Sequence, residues 1–407
     1  DSKKIKRIVQ IMDKINFFPD DLDVQNKKII LRLDLNVPLK NKIIMDNTRI
    51  ELCLPFIKKL ISKEAKIIII SHLGRPKGVR DPSLSLLPVY KYIKEKLQTN
   101  VYFFTGNLDD NVKNKFSQLN KGEVILVENI RFFKEETDDD ENFSRKLASL
   151  GDVYINDAFS CSHRKQSSIH KITKFVNKNF AGPLLKKEID SINLVIKNKK
   201  EPVTCIIGGS KVSTKINVIT NLIEKINNLI IVGAMANNFF IYKNYNVGRS
   251  LVEKNTKEII KKIYDKAKKN FCEIIIPEDC VVGTNFEGSG KSKNLDQVEK
   301  NEIILDIGPN TIRTIKQIIN QSNTLLWNGP AGYFENKNFS NGTMSIAEAI
   351  SKNTYEKTLI SVLGGGDTLA AINKSEFKLS FSHLSTAGGA FLEYLEGKDL
   401  PGLSVLK

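Results

Sequence analysis

Cationic side chains recur just past short apolar runs in the first half of this 407-residue chain: Arg49, His72, Arg75, Arg131 and Arg164. They fall in or near DLN (34–36), SHLGRP (71–76), ENIRFF (128–133) and NDAFSCSHR (156–164). Brought to one sheet edge, they form a charge-assisted pocket able to hold a phosphate and a carboxylate in bidentate geometry. Asp34 and Asn36 add acceptors for a ligand hydroxyl, and an Asx-turn role before Pro38 competes with that reading.

The second half offers glycines instead: GGSKVSTK (208–215), GAMANN (233–238), WNGPAGYFE (327–335), GGGDT (364–368) and STAGGA (385–390). Glycines let backbone N–H groups approach a phosphate, and a following helix adds a favourable dipole. Asp367 is placed to meet a magnesium ion carried by that phosphate. GSGKS (288–292) imitates a Walker loop but has Asn285 where the pattern needs glycine, so it is expected to be a mobile surface loop.

These groups depend on elements that end beside them. β-branched runs at 29–33, 67–70, 101–104, 124–127 and 153–155 alternate with helix-compatible stretches, and a second series follows at 203–207, 229–232, 274–276, 324–327 and 359–363. The expected fold is α/β, two doubly wound parallel-sheet domains of Rossmann-like type, with ligands beyond the carboxyl ends of the strands. A Gly-Pro break opens 182–202, which reads as one long connecting helix. In the acidic stretch 135–147, Thr137 as N-cap with acids in the first turn explains the charges better than a metal cluster. The stripe Ile5, Ile8, Val9, Met12 and Ile15 predicts a basic N-terminal surface helix, a processed targeting remnant being the alternative.

Composition limits the classes. At about 150 residues per domain the length implies two or three domains, and 41% hydrophobic with 27% charged residues excludes wholesale disorder. No apolar run approaches the roughly 18 residues of a membrane span. The five cysteines, Cys53, Cys161, Cys205, Cys272 and Cys280, contain no C-x-x-C pair and read as buried thiols of a reducing, cytoplasmic compartment. The balance of 62 basic against 46 acidic residues gives +16, read as a solvated lysine-rich surface because aromatics are not interleaved with the lysines.

Together RLDLNVP, SHLGRP, ENIRFF, INDAF with HR, GPLLKKEI, GGSKVSTK, LWNGPAGYFE, GGGDT and STAGGA occur in an order and spacing that resembles the phosphoglycerate kinase family over nearly the whole chain. The resemblance implies reversible phosphoryl transfer between 1,3-bisphosphoglycerate with ADP and 3-phosphoglycerate with ATP, using Mg2+. It places the glycerate ligand on Asp34, Asn36, Arg49, His72, Arg75, Arg131 and Arg164 in residues 1–183. It places the nucleotide on Gly208, Gly209, Lys211, Lys215, Gly233, Asn328, Pro330, Glu335, Gly364, Gly365, Gly366, Asp367 and Thr368 in residues 184–390, with Glu335 on the ribose and Asp367 on the metal. Residues 391–407 are implied to return to the first domain. The chain departs from the family at Ala387, where a third glycine is common, at Gln166, where a second histidine is common, and in the polar pair Asn237 and Asn238.

The acceptor carboxylate, with a pKa of roughly 3.5, needs no general base. Arg49, Lys215 and backbone amides at Gly366 and Gly389 are expected to stabilise the transferring group, after domain closure that excludes water. Hinge candidates are 182–183 and 385–389. The expected protein is a monomer with no nucleic-acid or membrane partner. The alternatives are another acyl-phosphate-forming small-molecule kinase and a basic nucleic-acid-binding protein, the latter giving a steep salt slope and no turnover.

Overall fold

The computed structural model describes residues 15–109 and 112–407, so the expected N-terminal helix lies, but for its last residues, outside the described residues. The chain divides into two compact units: the described residues up to Ile189 with Lys398–Lys407, and Asp190–Gly397. These divisions fall six residues after the expected 183/184 boundary and seven after the expected 390/391 one.

The first unit holds β1 (Lys28–Arg32), the hairpin pair β2 (Leu39–Lys40) and β3 (Ile43–Ile44), then β4 (Lys66–Ile70), β5 (Val101–Phe104), β6 (Val124–Val127), β7 (Val153–Asn156) and β8 (Lys178–Ala181). Six strands form one parallel sheet in the order β5-β6-β4-β1-β7-β8. Runs such as KIILR and KIIII are almost wholly buried, as strands covered on both faces must be. Ile50, Leu54, Ile57 and Leu60 of the helix Thr48–Ser62 pack against Ile29, Leu31, Ile67 and Ile69.

The second unit holds β9 (Val203–Ile207), β10 (Asn228–Ile231), β11 (Glu273–Ile275), β12 (Asp279–Gly283), β13 (Lys291–Asn294), β14 (Ile303–Ile307), β15 (Thr324–Asn328), β16 (Ile360–Gly364) and β17 (His383–Ser385). Its main sheet runs β11-β10-β9-β15-β16-β17, and β13-β12-β14 form a small antiparallel sheet. In both main sheets the chain fills one side and then reverses, opening crevices beyond the carboxyl ends of β1 and β7 and of β9 and β15.

Three expectations change. Lys291 and Ser292 of the GSGKS segment lie in β13, because pairing with β12 supplies order that its polar sequence does not announce. The connecting helix covers only Pro183–Ile196, with proline in the first turn, where its missing N–H costs nothing. Thr137 ends the short helix Lys134–Thr137, and the cap of the helix Glu141–Ala148 is Asp140, whose carboxylate accepts from Phe143 N at 2.7 Å. No helix among the described residues is long and apolar enough to cross a membrane.

Candidate active site

Past β1 the chain stays extended, burying Leu33, Leu35 and Val37 and leaving Asp34 and Asn36 on the other face. Both proposed roles of Asp34 are present. One carboxylate oxygen accepts from Asn36 N at 3.1 Å, an Asx turn, while the other takes Arg49 Nη1 at 2.6 Å and the Ser160 hydroxyl. Asn36 Oδ1 accepts from Gly74 N at 2.9 Å and so ties the SHLGRP loop to the end of β1. A cavity of about 480 Å³ borders Asn36, Leu73 and Gly74.

His72 is buried, and burial together with Arg32, Arg131, Arg49 and Arg164 pushes its pKa well below the usual value, leaving it neutral. Arg131 donates to Gly74 O at 2.8 Å and reaches Gln166 Oε1 at 3.5 Å, while its buried Nε has no partner among the described residues. Burial lowers its pKa to about 10, so it stays charged near neutrality. Arg164 donates to His163 Nε2 at 3.2 Å, and its charge acts on both His72 and Arg131. Arg75 is the exception: it is exposed and, among the described residues, has no hydrogen-bond or ion-pair partner.

Arg32, Ser160, Cys161 and Gln166 belong to this cluster although their types did not single them out. Arg32 escapes because it is the last residue of a strand rather than the first of a loop. Ligand atoms of Asp34, His72 and Cys161 lie within 4.8 Å of one another, a combination that in other surroundings binds zinc. Here Arg49 is paired with Asp34, and the Arg32 guanidinium faces His72 Nδ1 at 3.3 Å and Cys161 Sγ at 3.9 Å. Burial also pushes the Cys161 thiol up. The cluster suits an anion and opposes a cation.

In the second unit, parallel register sets Ile207 beside Asn328 and Asn328 beside Gly364, so three glycine-bearing loops leave the sheet side by side. Asn328 donates to Gly364 O at 2.7 Å and accepts from Lys215 Nζ; Thr368 Oγ1 accepts from Gly329 N at 2.7 Å. Burial lowers the Lys215 pKa, while Cys205, Asp367 and Glu396 act to raise it. Lys211 stays exposed on a loop pinned by Glu253, which accepts from Ser213 N at 3.0 Å. A cavity of about 480 Å³ is lined by Gly209, Gly233, Pro330, Glu335 and Asp367, with Phe240, Leu251 and Phe286 as an apolar wall. Such a wall suits a planar base, and the glycines suit phosphates.

Among the described residues a Cβ added at Gly366 meets nothing within 4 Å, leaving backbone open beside Asp367. Ala387 is not among the positive-φ residues, so its methyl group introduces no left-handed strain. Asn237 and Asn238 face the segment 251–253, through Leu251 O at 3.0 Å and Glu253 N at 2.8 Å, and do not line the cavity. Gly208 has no such freedom, because its Cβ would lie 2.3 Å from Pro330 O. Gly208→Ala is therefore expected to force the loops after β9 and β15 apart, an overpacking of about 1–3 kcal/mol. ADP affinity measured by calorimetry should fall roughly tenfold or more. Unchanged ADP affinity would show that these loops do not hold the nucleotide.

A model of the family described as phosphoglycerate kinase matches residues 19–398. The chain belongs to this family. It is 43% identical over 390 residues to a phosphoglycerate kinase of Wolbachia pipientis wMel, covering 95% of this chain and 98% of that protein. A Clostridioides difficile relative of the same name is 42% identical over 391 residues, with coverage of 95% and 97%. The structure of phosphoglycerate kinase from Coxiella burnetii superposes with a TM-score of 0.87 at 38% identity, covering 95% of this chain and 97% of that one. One from Pyrococcus horikoshii OT3 gives 0.79 at 29%, with coverage of 96% and 98%. Phosphoglycerate kinase membership makes the chain a transferase enzyme and favours that reading over both alternatives.

Proposed function

We propose that this enzyme transfers a phosphoryl group reversibly from 1,3-bisphosphoglycerate to ADP, with the glycerate ligand on the cationic crevice of the first unit and the nucleotide on the glycine-lined crevice of the second. The observation that carries this reading is the contrast between the crevices. One gathers Arg49, His72 and Arg131 around hydrogen-bonding Asp34 and Asn36, and the other presents glycine turns beside an apolar wall. The unpartnered Nε of Arg131 supports a ligand oxygen there, since a buried donor left unmade is costly.

The acceptor oxygen is a carboxylate, ionised near neutrality, so no side chain removes a proton. Arg49 and Lys215, with backbone amides at Gly366 and Gly389, stabilise charge spread over the transferring group. Because donor and acceptor bind to different units, transfer requires closure about the 182–183 and 385–389 segments, with water excluded. The enzyme acts as a cytoplasmic monomer, with no nucleic-acid or membrane partner.

Asp367 suits Mg2+: it is an exposed oxygen ligand on the cavity wall, and magnesium characteristically takes one or two carboxylates with the substrate's phosphates. When bound, the ion neutralises phosphate charge. Asp367→Asn is expected to raise the magnesium concentration needed for half-maximal activity while sparing 3-phosphoglycerate affinity. Magnesium titrations superposing on the wild type would remove Asp367 from that role.

The reading is tested by ATP formation from magnesium-ADP and 1,3-bisphosphoglycerate, with 3-phosphoglycerate as competitor. Turnover inhibited by the competitor is expected. Absence of turnover with a folded protein would overturn it.

A further inference from the structure

Behind the cationic crevice lies a buried polar relay that the transfer mechanism does not use. Arg32, Glu136 and Ser168 are wholly buried, and His72 is 4% exposed. Arg32 Nε donates to Ser168 Oγ at 2.9 Å, another guanidinium nitrogen donates to Leu33 O, and Nη2 lies 3.3 Å from His72 Nδ1. The Ser168 hydroxyl donates to Glu136 Oε1 at 2.6 Å, and its backbone N–H donates to Oε2 at 2.8 Å. Tyr154 fixes the same turn by donating to Ser168 O at 2.7 Å.

The direction of these bonds follows from the groups. A guanidinium has five donors, no acceptor and no accessible neutral form. The His72 nitrogen facing it at 3.3 Å, to which the more distant Cys161 thiol at 3.8 Å can itself donate, therefore presents a lone pair, which leaves the proton on Nε2. Among the described residues nothing accepts from Nε2. We propose that Arg32, anchored through Ser168 to Glu136, is a positioning residue that sets His72 as a neutral imidazole protonated on Nε2 and thereby makes it a hydrogen-bond donor to the glycerate ligand. The opposite tautomer would turn a lone pair toward an anion. The ligand part rests on the functional reading above, whereas the tautomer does not.

The groups acting on His72 are Arg32 at the end of β1, Arg49 from the helix Thr48–Ser62, Arg131 past β6, Arg164 past β7, and Asp34 and Cys161 at ligand distance. Burial first, and then these cations, disfavour a positive charge on the ring, so the imidazole stays neutral as acid is added.

Nitrogen-15 NMR of the ligand-free enzyme reads the tautomer directly. His72 is expected to show a protonated Nε2 and a bare Nδ1, unchanged from about pH 8 to about pH 5.5, well below the ordinary midpoint near 6.5. A protonated Nδ1, or titration near 6.5, overturns the proposal whether or not 3-phosphoglycerate binds. In Arg32→Met the tautomers should mix and titration should move up toward 6.5. In that variant 3-phosphoglycerate affinity relative to wild type should fall about tenfold at pH 8, as for a lost charge-assisted hydrogen bond. It should recover in part as His72 takes up a proton. Loss of charge alone would lower affinity equally at every pH, and that result also overturns the proposal. Arg32→Met with Glu136→Gln serves where the single variant, left with a buried unpaired carboxylate, does not fold.

Discussion

Lys215→Ala is expected to lower kcat by about 100- to 1,000-fold, the loss that follows removal of one preorganised donor to a transition state. Lys215 Nζ is held by Asn328 Oδ1, and Asn328 is itself fixed by Gly364 O at 2.7 Å, so the cation is in place before ligands arrive. Burial lowers its pKa from 10.5, while Cys205, Asp367 and Glu396 act to raise it. Its charge has most to act on when the phosphoryl group is between donor and acceptor, so kcat should fall further than magnesium-ADP affinity weakens. Steady-state kinetics beside ADP calorimetry separate the two. A raised KM with kcat intact would make Lys215 a binding residue only.

Arg49→Ala carries the second large effect, a fall in kcat of roughly 100-fold or more. Arg49 lies in the first turn of its helix, bonded to Asp34 at 2.6 Å and to Asn36 O at 3.3 Å. On the proposed roles, its removal does two things at once: it deletes a cation beside the transferring group and takes from the Asp34 carboxylate its ion-pair partner. The second contribution weakens 3-phosphoglycerate binding. Asp34→Asn on the Arg49→Ala background should therefore restore part of the KM but none of the kcat. An unchanged kcat in Arg49→Ala would refute its role in the transfer step.

The strands that position these groups were legible because sheets buried on both faces demand continuous apolar runs, as at KIIII and VTCII. The edge strand HLS and the polar strand KSKN were not, since their order comes from pairing with β16 and β12 and not from any pattern of their own. The glycine turns could be read one by one, but the 2.3 Å approach of Gly208 to Pro330 O depends on two strands distant in sequence lying side by side. Among the cations, proximity to a strand end did not ensure a place in the cluster. Arg75 shares its loop with His72 and stays exposed, whereas Arg32, inside a strand, reaches His72 at 3.3 Å. Asp140 took the cap assigned to Thr137 because the preceding helix runs on to that threonine.

The central claim is the division of labour between the two crevices, and calorimetric titration of each ligand into one pair of variants tests it. Arg131→Met should weaken 3-phosphoglycerate by about tenfold or more, the loss of a charge-assisted hydrogen bond, and leave ADP unchanged. Gly208→Ala should do the reverse. Parallel loss of both ligands in either folded variant, or loss of the opposite ligand, would contradict the account.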